Sequence, residues 1–171
     1  MIVNESDRLA LKVFSVEDEE AAKNFWGNAE VMVHCGGPTP HEMLGKVLMS
    51  YQACHEKKGL SVYAVVEKET SEVIGAAGFN VASGLEKVEL IYHLSKDSWG
   101  KGYATEAAVA CTEIAKQTDG VETIFASADP HNVSSTKILE KAGFQFIEMK
   151  WFDDTNQEEP YFEYQILQDD K

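Results

Sequence analysis

Three strand-like runs, SVYAVVEK (61–68), EVIGAAGFNV (72–81) and KVELIYHL (87–94), follow one another at short polar turns and lead straight into SKDSWGKGYAT (95–105). That segment carries two glycines and opens a long run of helix formers. Alternating apolar residues with turn signals between them predict antiparallel hairpins. Beyond the glycines the spacing predicts a helix over about 103–118. Its stripe of Ala107, Ala108, Ala110, Cys111, Ile114 and Ala115 is small enough to lie close on a sheet. VETIFASA (121–128) then reads as a strand, which makes strand–helix–strand the centre of the chain. A chain built this way folds as mixed α/β, with a mostly antiparallel sheet and flanking helices.

The flanks complete the pattern. RLALKVF (8–14) alternates like a half-buried strand. Ser15, with Asp18 three residues later and Gly27 beyond, predicts a helix over about 15–27. GGPTP (36–40) breaks the chain into a loop at 34–41, and a second helix over 41–57 carries Met43, Leu44, Val47, Leu48 and Tyr51. A helix at 132–142 and strands at 143–152 and 159–167 close an order of βαα-βββ-αβ-αββ. With no linker or repeat, the expectation is a single domain over 1–171.

Charge and cysteines narrow the function. The 29 acidic and 15 basic residues leave a net charge of −14. A field of that sign repels nucleic acid and anionic membranes and draws in cations. Neither a membrane-length apolar run nor a secretory leader is present, so a cytoplasmic protein is expected. Cys35, Cys54 and Cys111 are odd in number and far apart, which argues against disulfides and a metal site, and they read as small buried apolar residues.

Glycines between a strand and a helix have a chemical use. The first N–H groups of a helix lack partners, and glycine lets the backbone approach a ligand closely, so phosphate oxygens bind there. Lys101 adds a positive charge. Neither GxxxxGK[ST] nor GxGxxG is present, since Thr105 stands where the third glycine of the latter would be.

WGKGYATEA (99–107) and, further on, DPHNVSSTKILEKAGF (129–144) strongly resemble the GNAT superfamily of acetyl-CoA-dependent N-acetyltransferases, and within it the RimJ/RimL-like branch. RLALKVFSVED, EVMVHCGGPTP, YAVVEKETSEVIGAAGF and ELIYHL extend the likeness over nearly the whole chain. The resemblance implies a sheet splayed at its central strands, with pantetheine inserted like an extra strand beside the backbone of His93 and Leu94. It implies acetyl-CoA as co-substrate, without metal. Its pyrophosphate would rest on Trp99, Gly100, Lys101, Gly102, Tyr103, Ala104 and Thr105, with Asn132, Ser135 and Lys137 along the coenzyme arm. Two departures stand out: Asp97 occupies a loop position that is Gln or Arg in the superfamily, and ELIY replaces ELGY, which puts Ile91 beside the pocket.

Acetyl transfer needs a neutral amine, a stabilised thioester oxygen and a leaving thiolate. A side-chain amine with a pKa of about 10.4 is almost wholly protonated at neutral pH, so a base is useful. Glu89, on the strand leading to the loop, is the expected base; His93 and Glu163 are further candidates. Ser135 is expected both to touch the coenzyme and to protonate the thiolate, and Asn132 to cap its helix. Lys141 could also reach a phosphate, while Glu106 reads as structural. The acceptor, a protein N-terminus, polyamine or other small amine, is expected between Phe25–Pro40 and Trp151–Tyr164, the latter rich in aromatics and acids. A non-catalytic acyl-CoA-binding module and transfer of a longer acyl group are the alternatives; monomer and homodimer are both open.

Overall fold

The computed structural model describes residues 1–82 and 84–166. One sheet of eight strands runs in the order β1-β2-β3-β4-β5-β6-β8-β7. The strands are β1 (Ile2–Glu5), β2 (Leu9–Val13), β3 (Val62–Glu67), β4 (Glu72–Asn80), β5 (Lys87–Leu94), β6 (Thr123–Ser127), β7 (Gln145–Phe152) and β8 (Gln157–Gln165). Helices α1 (Glu19–Ala22), α2 (His41–Lys58), α3 (Tyr103–Lys116) and α4 (Val133–Lys141) cover its faces. Every pairing is antiparallel except β5 with β6, which the α3 crossover joins in parallel.

Two hydrophobic cores sit on opposite faces. Leu9, Leu11, Tyr63, Val65, Phe79, Val88, Leu90 and Ile124 meet the alanine stripe of α3 on one face. Phe14, Phe25, Trp26, Leu44 and Leu48 meet Val62, Ala64 and Ala76 on the other. Alternation along β3 and β4 feeds both cores, which is why these strands are apolar nearly throughout.

The structure departs from expectation in four places. The first helix is a short 3-10 turn at Val16–Asp18 and four α-helical residues. Past Ala22 its hydrogen bonds tighten to three-residue closures, Asn24 onto Ala21 and Phe25 onto Ala22, and the chain winds on so that Phe25, Trp26 and Met32 are all buried. Strand β1 was not anticipated, being four residues long and half polar; it is held by pairing with β2. The last strand starts at Gln157, two residues early, and position 167 of the expected range lies outside the described residues. Of the three cysteines only Cys111 is fully buried; Cys54 is half-buried and Cys35 is exposed, because the loop around it turns outward.

Candidate active site

The parallel pair β5–β6 stays together over only three residues, Lys87–Glu89 against Thr123–Phe125. Beyond Glu89 the two strands part, since β6 is held by β8 while β5 stays with β4 through Leu94. The Ser95 N–H bonds the Ile74 carbonyl at 2.8 Å. With the regular register that precedes it, residues 89, 91 and 93 turn their main-chain groups toward β4. Tyr92 and Leu94 turn theirs toward the opening, where among the described residues no strand lies opposite. The main chain of His93 is thus used by Ala76 across the ladder, and of the pair His93–Leu94 only Leu94 presents its N–H to the gap. Its carbonyl accepts the Trp99 indole N–H at 2.9 Å, which holds the half-exposed Trp99 ring across the strand end.

At that end the glycine loop turns into α3. Gly100 and Gly102 have φ of 76° and 81°, the left-handed region that glycine enters without strain. The first N–H to close on the helix is that of Glu106, onto Gly102 O at 3.1 Å, so the N–H groups of Gly102, Tyr103, Ala104 and Thr105 are donors that the helix leaves unused. Lys101 is exposed at the mouth, and Asp97 faces solvent.

Arg8, which the sequence did not single out, braces this loop. From the start of β2 its guanidinium donates to Lys101 O at 2.8 Å and to Glu106 Oε1 at 2.7 Å, and it lies 4.4 Å from the centre of the Tyr103 ring. Glu106 also accepts from the Arg8 N–H and the Ser6 hydroxyl. These bonds hold its carboxyl below the usual range against the opposing effect of burial, as suits a structural residue. Tyr103 donates to Glu67 at 2.6 Å. No spacing rule reaches from residue 8 to residue 101; only the lone arginine at a strand start hinted at it.

Across the gap, Asn132 caps α4 by accepting the Ser135 N–H at 3.3 Å. The Ser135 hydroxyl is 2.7 Å from the Tyr92 hydroxyl. Tyr92 is pushed up to about 12 by burial, so it stays a neutral phenol. Lys137 and Lys141 are exposed along α4.

On the other face of β5, Glu89 is half-buried beside Asn80, whose amide donates to it at 3.4 Å. Burial, then the negative charges of Asp154 and Glu159, push its carboxyl up. Asn80, Ala82, Lys87, Glu89 and Phe125 line a hollow of about 150 Å³. It adjoins a larger cleft, about 310 Å³, formed with Lys150, Phe152 and Tyr161. Glu163 is engaged elsewhere: Lys87 Nζ lies 3.1 Å away and the Tyr161 hydroxyl donates to it at 2.8 Å, which together lower its pKa. His93 Nδ1 accepts from the Trp26 indole at 3.1 Å. The 34–41 loop reaches the same region, where His34 Nδ1 lies 3.3 Å from Asp129, and Asp129 also accepts from Gln157 of the closing hairpin.

The model for the acetyltransferase (GNAT) domain matches residues 8–145. An uncharacterized N-acetyltransferase, p20, of Bacillus licheniformis is 28% identical over 144 residues, covering 82% of this chain and 80% of that protein. The ribosomal protein uS5-alanine N-acetyltransferase of Escherichia coli is 25% identical over 146 residues, or 84% of this chain and 73% of that one. A GNAT-family acetyltransferase structure from Bacillus anthracis superposes with a TM-score of 0.84 at 22% identity, covering 96% of this chain and 98% of that one. Among the described residues no group of three or more metal-ligating side chains forms, and no helix is long and apolar enough to cross a membrane. With its parted central strands, its glycine loop at a helix start and a family match over most of its length, the chain belongs to the GNAT acetyltransferases, RimJ/RimL-like among them.

Proposed function

We propose that the chain moves an acetyl group from acetyl-CoA to a primary amine by direct attack within a ternary complex. The observation that carries this is the opening between β5 and β6, with the main chain of Tyr92 and Leu94 facing it and the N–H groups of residues 102–105 gathered at its end. The donors there suit a pyrophosphate: glycine backbone at positive φ, an unused helix N-terminus and Lys101 nearby. Residues 99–105 hold that group, Asn132 and Lys137 bind along the coenzyme arm, and acetyl-CoA supplies the activated acetyl.

The amine nitrogen forms a bond to the thioester carbon as the carbon–sulfur bond breaks. Leu94 N–H stabilises the oxygen on which charge grows. Glu89 takes the amine proton through water, its raised pKa bringing it closer to working pH. Ser135, hydrogen-bonded to the neutral Tyr92 phenol, passes a proton to the thiolate and takes one back from water, and the thiolate, with a thiol pKa of about 8.5, leaves readily. The acceptor approaches over the Glu89 face, between the 28–40 segment and the closing hairpin. Acids there and the net charge of −14 favour a cationic amine, whether a protein N-terminus, as for the uS5-alanine enzyme, or a small amine.

The test is release of coenzyme thiol from acetyl-CoA across an amine panel, with products identified by mass spectrometry. The panel holds peptides beginning with Ser, Ala or Thr, polyamines, aminoglycosides and amino acids. Turnover on one class is the expected result. Tight acetyl-CoA binding with no turnover on any amine would replace this reading with a non-catalytic binding module.

A further inference from the structure

Strand β7 ends the sheet, and among the described residues no strand lies on its side away from β8. It is also unusually apolar for an edge: Ile147, Met149 and Trp151 are each about half exposed. A long apolar edge invites pairing with another chain. The register of β7 limits which strand can pair with it.

The Ala128 N–H bonds the Pro160 carbonyl, so Pro160 turns its main chain toward β6 and its neighbours Glu159 and Tyr161 turn theirs toward β7. Their partners Lys150 and Glu148 therefore face β8, leaving the main-chain groups of Met149 and Trp151 pointing outward. Two copies of β7 related by a two-fold axis can join as hydrogen-bonded pairs only in registers that set outward residues opposite one another. Centring on Glu148 opposes Glu148 to its own copy, and centring on Lys150 opposes Lys150 to its own copy. Centring on Trp151 runs into the hairpin turn that begins at residue 153. Centring on Met149 sets each Glu148 beside the Lys150 of the other copy, on one face. On the other face it places Met149 against Met149, flanked by Trp151. Among the described residues Glu148 has no ion pair within its own chain. Lys150 lies 4.6 Å from the Tyr161 ring centre, on the same face as Glu148.

We infer that the exposed edge of β7 is a docking surface for a second copy of this chain, joined antiparallel about Met149 into one sheet across the two-fold axis. The charges that would block the neighbouring registers select this one, as opposite charges directly across a strand pair stabilise it and like charges do not. The irregularity at Ile147, where β7 slips against β8, limits the regular pairing to the segment around Met149.

Sedimentation and light scattering of the full chain over micromolar concentrations test this, with far-UV circular dichroism and acetyl-CoA binding as controls for folding. The expected result is a dimer. Lys150→Glu alone and Glu148→Lys alone each set two like-charged pairs across the axis and are expected to raise the dimer dissociation constant roughly two- to thirtyfold. The double exchange, Glu148→Lys with Lys150→Glu, is expected to restore it. Met149→Pro, which removes an outward N–H, is expected to give monomer with coenzyme binding kept. A wild-type chain that stays monomeric overturns the inference. So does a dimer indifferent to all four variants, or single variants that dissociate without rescue by the double.

Discussion

The Trp26 indole N–H donates to Nδ1 of His93 over 3.1 Å. An indole can only donate, so Nδ1 must accept and the imidazole proton sits on Nε2. The one basic lone pair of a neutral His93 is already used, and burial lowers its pKa to about 4. On the proposed mechanism this leaves the amine proton to Glu89 rather than His93.

Replacing His93 with Gln is expected to leave the shape of the pH–rate profile unchanged. Stability should respond instead. The unfolded imidazole, with a pKa of about 6.5, takes up a proton that the folded one refuses until about pH 4. The contribution of the folded site is complete above about 6.5 and is lost as pH falls toward 4. Urea midpoints measured across that window should drop further in the wild type than in His93→Gln.

Glu89→Gln is expected to lower kcat by about 10²–10⁴-fold and to flatten the acid limb of the profile. Asp154→Asn removes a negative neighbour that raises the Glu89 pKa, so the acid limb should move to lower pH. A profile unmoved by both variants would take the base role from Glu89.

Ser135→Ala is expected to slow turnover by roughly tenfold, with a smaller effect on acetyl-CoA affinity, because a thiolate is a good leaving group and only part of the barrier depends on its proton. Tyr92→Phe should behave alike if the two hydroxyls act as a unit. Equal kcat in Ser135→Ala would leave the serine as a binding contact alone.

Gly102→Val puts a branched side chain at φ 81°, where its Cβ would stand 3.3 Å from the Arg8 guanidinium. The strain, about 1–3 kcal/mol, falls on the loop rather than the core. Coenzyme affinity should drop at least tenfold by calorimetry with circular dichroism unchanged. Arg8→Ala should weaken binding in the same direction, and Arg8→Lys should not restore it, since one ammonium cannot serve Lys101 O, Glu106 and the Tyr103 ring together.

Local pattern determined much of this protein. The alternation in 61–68, 72–81 and 87–94, the glycines at 100 and 102 and the small-residue stripe of 107–115 are read from neighbours in sequence, and hydrophobic period and turn chemistry act over that range. The capping of α4 by Asn132 was legible for the same reason. Long-range contacts were not. Arg8 against Lys101, Trp26 against His93 and Tyr92 against Ser135 join residues 93, 67 and 43 positions apart, and no periodicity links them. Which main-chain groups of β5 face the opening depends on its register with β4, and the engagement of Glu163 by Lys87 depends on β8 lying next to β6. Sequence placed the chemistry on its elements; only the packing of those elements decided which donors, lone pairs and charges remain for a substrate to meet.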